Sequence, residues 1–171
     1  MTAVLEPATT VADPAALISP DLFARLVRRI ERDHPDLAAG LPERIMREAL
    51  AFLAACAQNP GASLSPTALV DIGWHTFILH TREYAEFCQR VAGRFIHHVP
   101  DEGVGSVVEV DADGVPSWAR RTIEAIRRAG YTPDLELWST PRGAKCHQCH
   151  EVNCSASGAD GNENQDSKNP R

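Results

Sequence analysis

Apolar side chains recur at intervals of three and four residues in several stretches of the chain, which is the spacing of one face of an α-helix. In the first stretch, Leu22, Leu26 and Ile30 form such a face. They follow Ser19 and Pro20, where a serine can cap a helix and a proline fits its first turn. We therefore expect the first helix to begin near residue 20 and to end near residue 34.

The same period predicts four more helices. The second begins at Pro42, the third follows a cap at Ser65, the fourth runs from a cap at Thr81 to Gly93, and the fifth begins at Pro116. The third is apolar around much of its circumference, so we expect it to lie centrally. The predicted fold class is all-α, a small bundle of about five helices.

The segments outside these helices predict the limits of the folded domain. Residues 1–18 have no usable period, which favours a flexible N-terminal arm. A helical domain is expected over residues 19–140, with a short extended segment at 107–110. Within it, residues 131–138 should form an ordered strap with aromatic anchors. Residues 141–171 are rich in Gly, Ser, Asn and Asp, which is typical of a largely disordered tail.

Charge and composition exclude several classes of protein. The net charge is -6 and the basic residues are spread along helices, so the basic stripe of a nucleic-acid-binding protein is missing. No apolar run approaches the roughly 20 residues that a membrane span needs. Residues 1–17 have neither a basic start nor a continuous apolar stretch, so a secretory signal is not predicted. We expect a cytoplasmic protein without nucleic-acid or membrane partners. A protein partner stays open, and the oligomeric state is not determined by the sequence.

The third and fourth predicted helices carry candidate metal ligands. Asp71 and His75 are four residues apart, so they share a helix face, where a carboxylate can orient an imidazole or bind the same ion. His80 lies at the break between the two helices and can turn back over the end of the third. Residues 97 and 98 follow the end of the fourth and can return to the same place. The predicted pocket draws on Asp71, His75, His80, Cys88, His97 and His98.

Zinc is the ion that best suits imidazole with carboxylate or thiolate, although iron, copper and manganese are alternatives. The alternative to a metal pocket is that Asp71 and His75 hydrogen-bond within the core, that His80 completes a helix end, and that His97 and His98 are partly exposed. Burying so many ionisable groups in an apolar hairpin is costly without a shared purpose, and this favours the pocket.

The segment from Asp71 to His98 also carries a recognisable pattern. It contains D-I-G-W-H-T, then H-T-x-x-Y-x-x-F-C, then G-x-F-I-H-H. This pattern resembles the glycine-rich domain-containing protein-like family, a set of domains of unknown function. Its members often have Trp-His-Thr-His where this chain has Phe77 in the last position, and the glycine-rich extension is missing here. The resemblance implies a pocket and no particular activity.

A second cluster of ligand-type residues lies in the predicted tail. Cys146, Cys149 and His150 match the C-x-x-C-H pattern of c-type haem attachment. Because that attachment needs export to an oxidising compartment, the lack of a predicted signal argues against haem. Together with Cys154, these residues offer a zinc-like set of four soft ligands. A reversible Cys146–Cys149 disulfide and free thiols are the alternatives.

The sequence thus favours a helical protein that binds a zinc-like metal ion, with a further site in the tail. One alternative is a non-catalytic interaction module whose tail is redox-active or delivers metal. Another is a metal-dependent hydrolase or modifying enzyme. The chain has no H-E-x-x-H helix, nucleophile elbow or phosphate-binding glycine loop, so the pattern leaves open whether it is an enzyme.

Overall fold

The computed structural model of the chain describes residues 12–99, Ala112, residues 115–139 and the backbone of residues 155–157. Within these ranges the chain forms a bundle of α-helices with two three-residue strands, so the predicted all-α class is confirmed. A 3-10 helix, Pro14–Leu17, precedes the bundle. The elements in chain order are α1 (Pro20–Asp33), α2 (Leu41–Gln58), α3 (Ala68–Ile78), α4 (Thr81–Ala92), β1 (His97–Val99), α5 (Ser117–Arg128), α6 (Leu135–Trp138) and β2 (Ser155–Ser157).

The helix starts depend on which polar side chain reaches a free backbone N–H group. Ser19 caps α1 as expected, because its hydroxyl accepts a hydrogen bond from the backbone N–H of Leu22. The start of α3 differs from the prediction, since Thr67 is its cap and Ser65 is not. The backbone of Ser65 is instead tied to the hydroxyl of Thr122 on α5, at 3.3 Å from its nitrogen and 3.2 Å from its oxygen.

Helix α2 lies at the centre of the bundle and packs against α1, α3, α4 and α5. Its closest neighbour is α3, at Gly73. A Cβ atom at Gly73 would lie 2.7 Å from the Cβ of Ala49 and 3.0 Å from the backbone oxygen of Ile45. The two helices are therefore in contact almost backbone to backbone, and this contact sets the position of the face of α3 that carries Asp71.

Replacing Gly73 by alanine should lower the free energy of unfolding by about 1–3 kcal/mol, the usual cost of overpacking a core. The added methyl group cannot avoid Ala49 and Ile45 unless α2 and α3 move apart. Urea denaturation of the two proteins measures the difference. A gain in stability, as expected for an unstrained helix in which alanine replaces glycine, would show that the close contact is absent.

The strap predicted over residues 131–138 contains α6 and is fixed to α2 by a buried carboxylate. Glu48 accepts hydrogen bonds from the indole N–H of Trp138 at 2.5 Å and from the backbone N–H of Asp134 at 3.0 Å. Burial raises the pKa of Glu48, against the effect of these two donors. The Asp134 carboxylate in turn binds the Arg44 guanidinium through two hydrogen bonds, of 2.7 and 2.9 Å.

Several predicted segments fall partly or wholly outside the described residues. These are the extended segment at 107–110, residues 1–11 of the predicted N-terminal arm, and the tail apart from β2. In the described part of the arm, residues 14–17 form the 3-10 helix and Ile18 is buried in the core. Among the described helices, none combines the length and apolar character that crossing a membrane requires.

Candidate metal centre

Asp71 lies between two imidazole rings at one end of α3. Its Oδ2 atom is 2.8 Å from Nδ1 of His75, and its Oδ1 atom is 2.9 Å from Nε2 of His98. One ligand atom from each of the three residues lies within 4.8 Å of the other two. We call these three residues the Asp71 cluster. Among the described residues, the side chains of this cluster lie close enough together to hold a metal ion between them.

Two elements bring the cluster together. Asp71 and His75 are one turn apart on α3, and Nδ1 of His75 also lies 3.2 Å from the backbone oxygen of Asp71. His98 comes from β1, and its ring centroid lies 4.2 Å from that of His75 and 4.4 Å from that of Trp74. Helix spacing brings Asp71 and His75 together, whereas the position of His98 depends on the path of the chain after α4.

A buried hydrogen-bond chain holds that path in place. The indole N–H of Trp74 donates to the hydroxyl of Tyr84 at 2.9 Å, and this hydroxyl donates to the backbone oxygen of Ile96 at 2.6 Å. Ile96 lies two residues before His98. These two hydrogen bonds link α3 and α4 to the start of β1. The position of Trp74 between Asp71 and His75 in the sequence is the one signal that could have placed it at the site.

The cluster is open to solvent on one side. The side chain of His75 is 56% exposed, whereas that of Asp71 is 13% and that of His98 is 9% exposed. A ligand can therefore approach past His75, while the other two groups are held within the fold.

The two imidazoles shift the proton affinity of the cluster. Burial acts to raise the pKa of Asp71, but the hydrogen bonds from His75 and His98 outweigh it and hold this pKa below its ordinary value of 3.8. The hydrogen bond to Asp71 raises the pKa of His75 above 6.5, against the effect of partial burial. An ionised carboxylate next to a ring with raised basicity is a site that favours positive charge.

The other predicted ligands of the hairpin are not part of the cluster. His80 is the N-cap residue of α4, and its Nε2 atom is buried with no hydrogen-bond partner among the described residues. His97 precedes His98 in β1, so the two side chains point to opposite faces of the strand. The ring centroid of His97 lies 4.8 Å from that of Phe95. Cys88 is fully buried, and burial raises its pKa, which keeps it a thiol.

Phe77 occupies the position at which members of the family that the motif resembles often have histidine. Its ring is fully buried and packs edge-on at 5.2 Å from the centroids of both Tyr84 and Phe87. This position belongs to the aromatic core between α3 and α4. The predicted tail ligands Cys146, Cys149, His150 and Cys154 lie outside the described residues.

Comparison with known proteins gives a family match. The sequence model of the UCP032817-like family matches residues 15–123, from the 3-10 helix into α5. This corrects the assignment to the glycine-rich domain-containing protein-like family, which was wrong. That assignment rested on the motif within residues 71–98, whereas the match covers more than half of the chain. No curated protein and no solved structure matches the chain.

Proposed function

The chain belongs to the UCP032817-like family, whose name states no activity, and we propose from the geometry of the Asp71 cluster that the protein binds a divalent metal ion, with zinc as the preferred ion. The ligands are one carboxylate oxygen of Asp71, Nδ1 of His75 and Nε2 of His98. The observation that carries the proposal is the sharing of one largely buried carboxylate by two imidazoles.

The donor set suits zinc. Imidazole nitrogen and carboxylate oxygen bind zinc at about 2.0–2.2 Å, so two ligands of a tetrahedral ion lie about 3.3 Å apart. The N–O distances of 2.8 and 2.9 Å in the cluster are those of hydrogen bonds. The two distances end on different oxygens of Asp71. The one that ends on the coordinating oxygen needs to lengthen by about half an ångström to admit an ion, and the other imidazole has to turn toward that oxygen. Small side-chain rotations supply this change, because His75 is free to move on its exposed side.

The charge of the cluster also favours a cation. In the metal-free protein, each imidazole donates an N–H proton to Asp71. A neutral imidazole carries one N–H proton, so a ring that binds an ion through the nitrogen facing Asp71 carries that proton on its other nitrogen. For His75 that nitrogen is Nε2, on an exposed ring where water can accept the hydrogen bond. The carboxylate keeps its ionised form throughout, as its lowered pKa requires.

Zinc titration of the full-length chain tests the proposal. The background is a protein in which Cys146, Cys149 and Cys154 are changed to serine, so that tail thiolates cannot hold the ion. We expect one zinc per chain by elemental analysis, and a loss of affinity of at least about 100-fold in His75→Ala, since second-sphere changes alone cost about 10- to 100-fold. His34→Ala is the matched control, because it removes an exposed imidazole from the end of α1.

Failure of the background protein to bind zinc, iron(II) or manganese(II) would overturn the proposal. Equal zinc affinity in His75→Ala and His34→Ala would also overturn it. Parallel purification without oxygen distinguishes zinc from iron(II), because two histidines and one carboxylate are also the ligands of non-haem iron(II) centres.

A metal-dependent hydrolase is the second candidate function, because three protein ligands leave a zinc position open to water. The 56% exposure of the His75 side chain favours an opening toward solvent. The cobalt(II) form tests this candidate, since added thiocyanate changes its visible spectrum only when a position is free for it. An unchanged spectrum would indicate a closed site and favour a non-catalytic module.

A further inference from the structure

Strand β1, which carries His98, pairs with a strand from near the C-terminus. β1 and β2 are antiparallel, and the Cα partners are His97 with Ser157, His98 with Ala156, and Val99 with Ser155. His98 is the middle residue of β1. Among the described residues, β2 is the strand with which β1 forms a sheet. The backbone at one member of the Asp71 cluster is thus held by a segment 58 residues further along the chain.

The two ends of β1 are held differently. On its N-terminal side, the hydroxyl of Tyr84 binds the backbone oxygen of Ile96 at 2.6 Å. From His97 onward, the described backbone partner of β1 is β2. A two-stranded ladder of this length is marginally stable on its own in water. Its formation must therefore depend on further interactions, and His98 supplies them through Asp71 and Trp74.

We propose that β2 is a positioning element of the metal site, which holds His98 in the geometry for metal binding by pairing with β1. The inference rests on the proposed function. Metal binding and strand pairing both require His98 to lie against Asp71, so each makes the other more favourable. This coupling is reciprocal: removal of β2 weakens metal binding, and bound metal stabilises the pairing of β1 with β2.

Proline substitutions in β2 test the coupling in the full-length chain. In an antiparallel ladder, hydrogen-bonded and non-hydrogen-bonded residue pairs alternate, so one of any two adjacent residues donates its N–H group across the ladder. Ala156→Pro combined with Ser157→Pro therefore removes a cross-strand donor whichever pair is hydrogen-bonded. Asn164→Pro combined with Gln165→Pro is the matched control, because it places the same two prolines after β2 in the sequence.

We expect zinc affinity to fall about tenfold in the β2 variant and to stay unchanged in the control, with both proteins in the background without tail cysteines. A tenfold effect lies within the usual range of coupling between two sites. Added zinc should also slow hydrogen exchange of the amides in β1 and β2 of the background protein. Zinc binding by the background protein with equal affinity in the β2 variant would overturn the inference and leave the proposed function intact.

A second readout does not need metal. In the zinc-free protein, nitrogen NMR of the imidazole of His98 should report a proton on Nε2, held by Asp71. We expect the β2 variant to lose this fixed tautomer, while the control keeps it. If the background protein binds no metal, the proposed function fails. In that case an unchanged His98 signal in the β2 variant also overturns the inference that β2 holds His98 in place. A changed signal upholds the positioning of His98 by β2, without a metal site.

Discussion

Replacing Trp74 by alanine should lower the free energy of unfolding by about 3–5 kcal/mol, the usual cost of removing a large buried aromatic side chain. Trp74 is fully buried, and its ring centroid lies 5.2 Å from that of Phe52 on α2 and 4.4 Å from that of His98. Alanine leaves a cavity between α2, α3 and β1. It also removes the donor to Tyr84, whose hydroxyl holds the backbone at Ile96.

Urea denaturation of Trp74→Ala and Trp74→Phe separates these contributions. Phenylalanine keeps a ring in the core but lacks the indole N–H, and the hydroxyl of Tyr84 can still donate to Ile96. We expect the free energy of unfolding of Trp74→Phe to lie about 1–3 kcal/mol below that of the native protein. This loss is smaller than the one expected for Trp74→Ala. A loss below about 1 kcal/mol in Trp74→Ala would be inconsistent with a core position for this ring.

The helices could be predicted because their signal is local. The apolar period of α1 lies within a few turns, and the cap at Ser19 acts on a residue three positions away. The start of α3 was harder to predict, since Ser65 is by residue type at least as good a cap as Thr67. Thr122, 57 residues away, decides between them by binding the backbone of Ser65. Interactions of this kind leave no trace in a short window of sequence.

The same distinction applies to the Asp71 cluster. The proximity of Asp71 and His75 follows from helix geometry and was predicted. The choice among His80, His97 and His98 depends on how the chain runs after α3. The break at His80 makes a turn back toward the site feasible without giving the side chain a direction. In β1, neighbouring residues face opposite sides, so the register of the strand selects His98 and directs His97 away.

The pairing of β2 with β1 had no sequence signal. The segment Ser-Ala-Ser has neither alternating apolar residues nor the β-branched and aromatic residues that favour strands. The composition of residues 141–171 therefore predicts a largely disordered tail, and β2 is the part of it that the structure describes. Pairing at this position depends on the edge of β1, whose place in the fold is set by the contacts of His98 with Asp71 on α3 and of Ile96 with Tyr84 on α4.

Changing Asp71 to asparagine should weaken zinc binding by at least about 100-fold, because an amide supplies no negative charge and is a poor ligand for zinc. The fold should persist, since asparagine has nearly the same shape and its amide oxygen can still accept one of the two imidazole N–H groups. Competition with a chromophoric chelator measures the affinity. Retention of native affinity in Asp71→Asn would place the ion outside the Asp71 cluster.

The pH dependence of stability without metal tests whether Asp71 pairs with the imidazoles in solution. The pKa of His75 is raised, so its contribution is fully present below about pH 6.5 and is lost as pH rises through the raised value. The pKa of Asp71 is lowered, so its contribution is present above about pH 3.8 and is lost as pH falls through the lowered value. The native protein should therefore exceed Asp71→Asn in stability most clearly between about pH 4 and 6.5, by urea denaturation with a chelator present.

His34→Ala should follow the native curve, because a residue outside the cluster leaves both pKa shifts in place. A difference between native protein and Asp71→Asn that does not change with pH would mean that Asp71 contributes by packing alone.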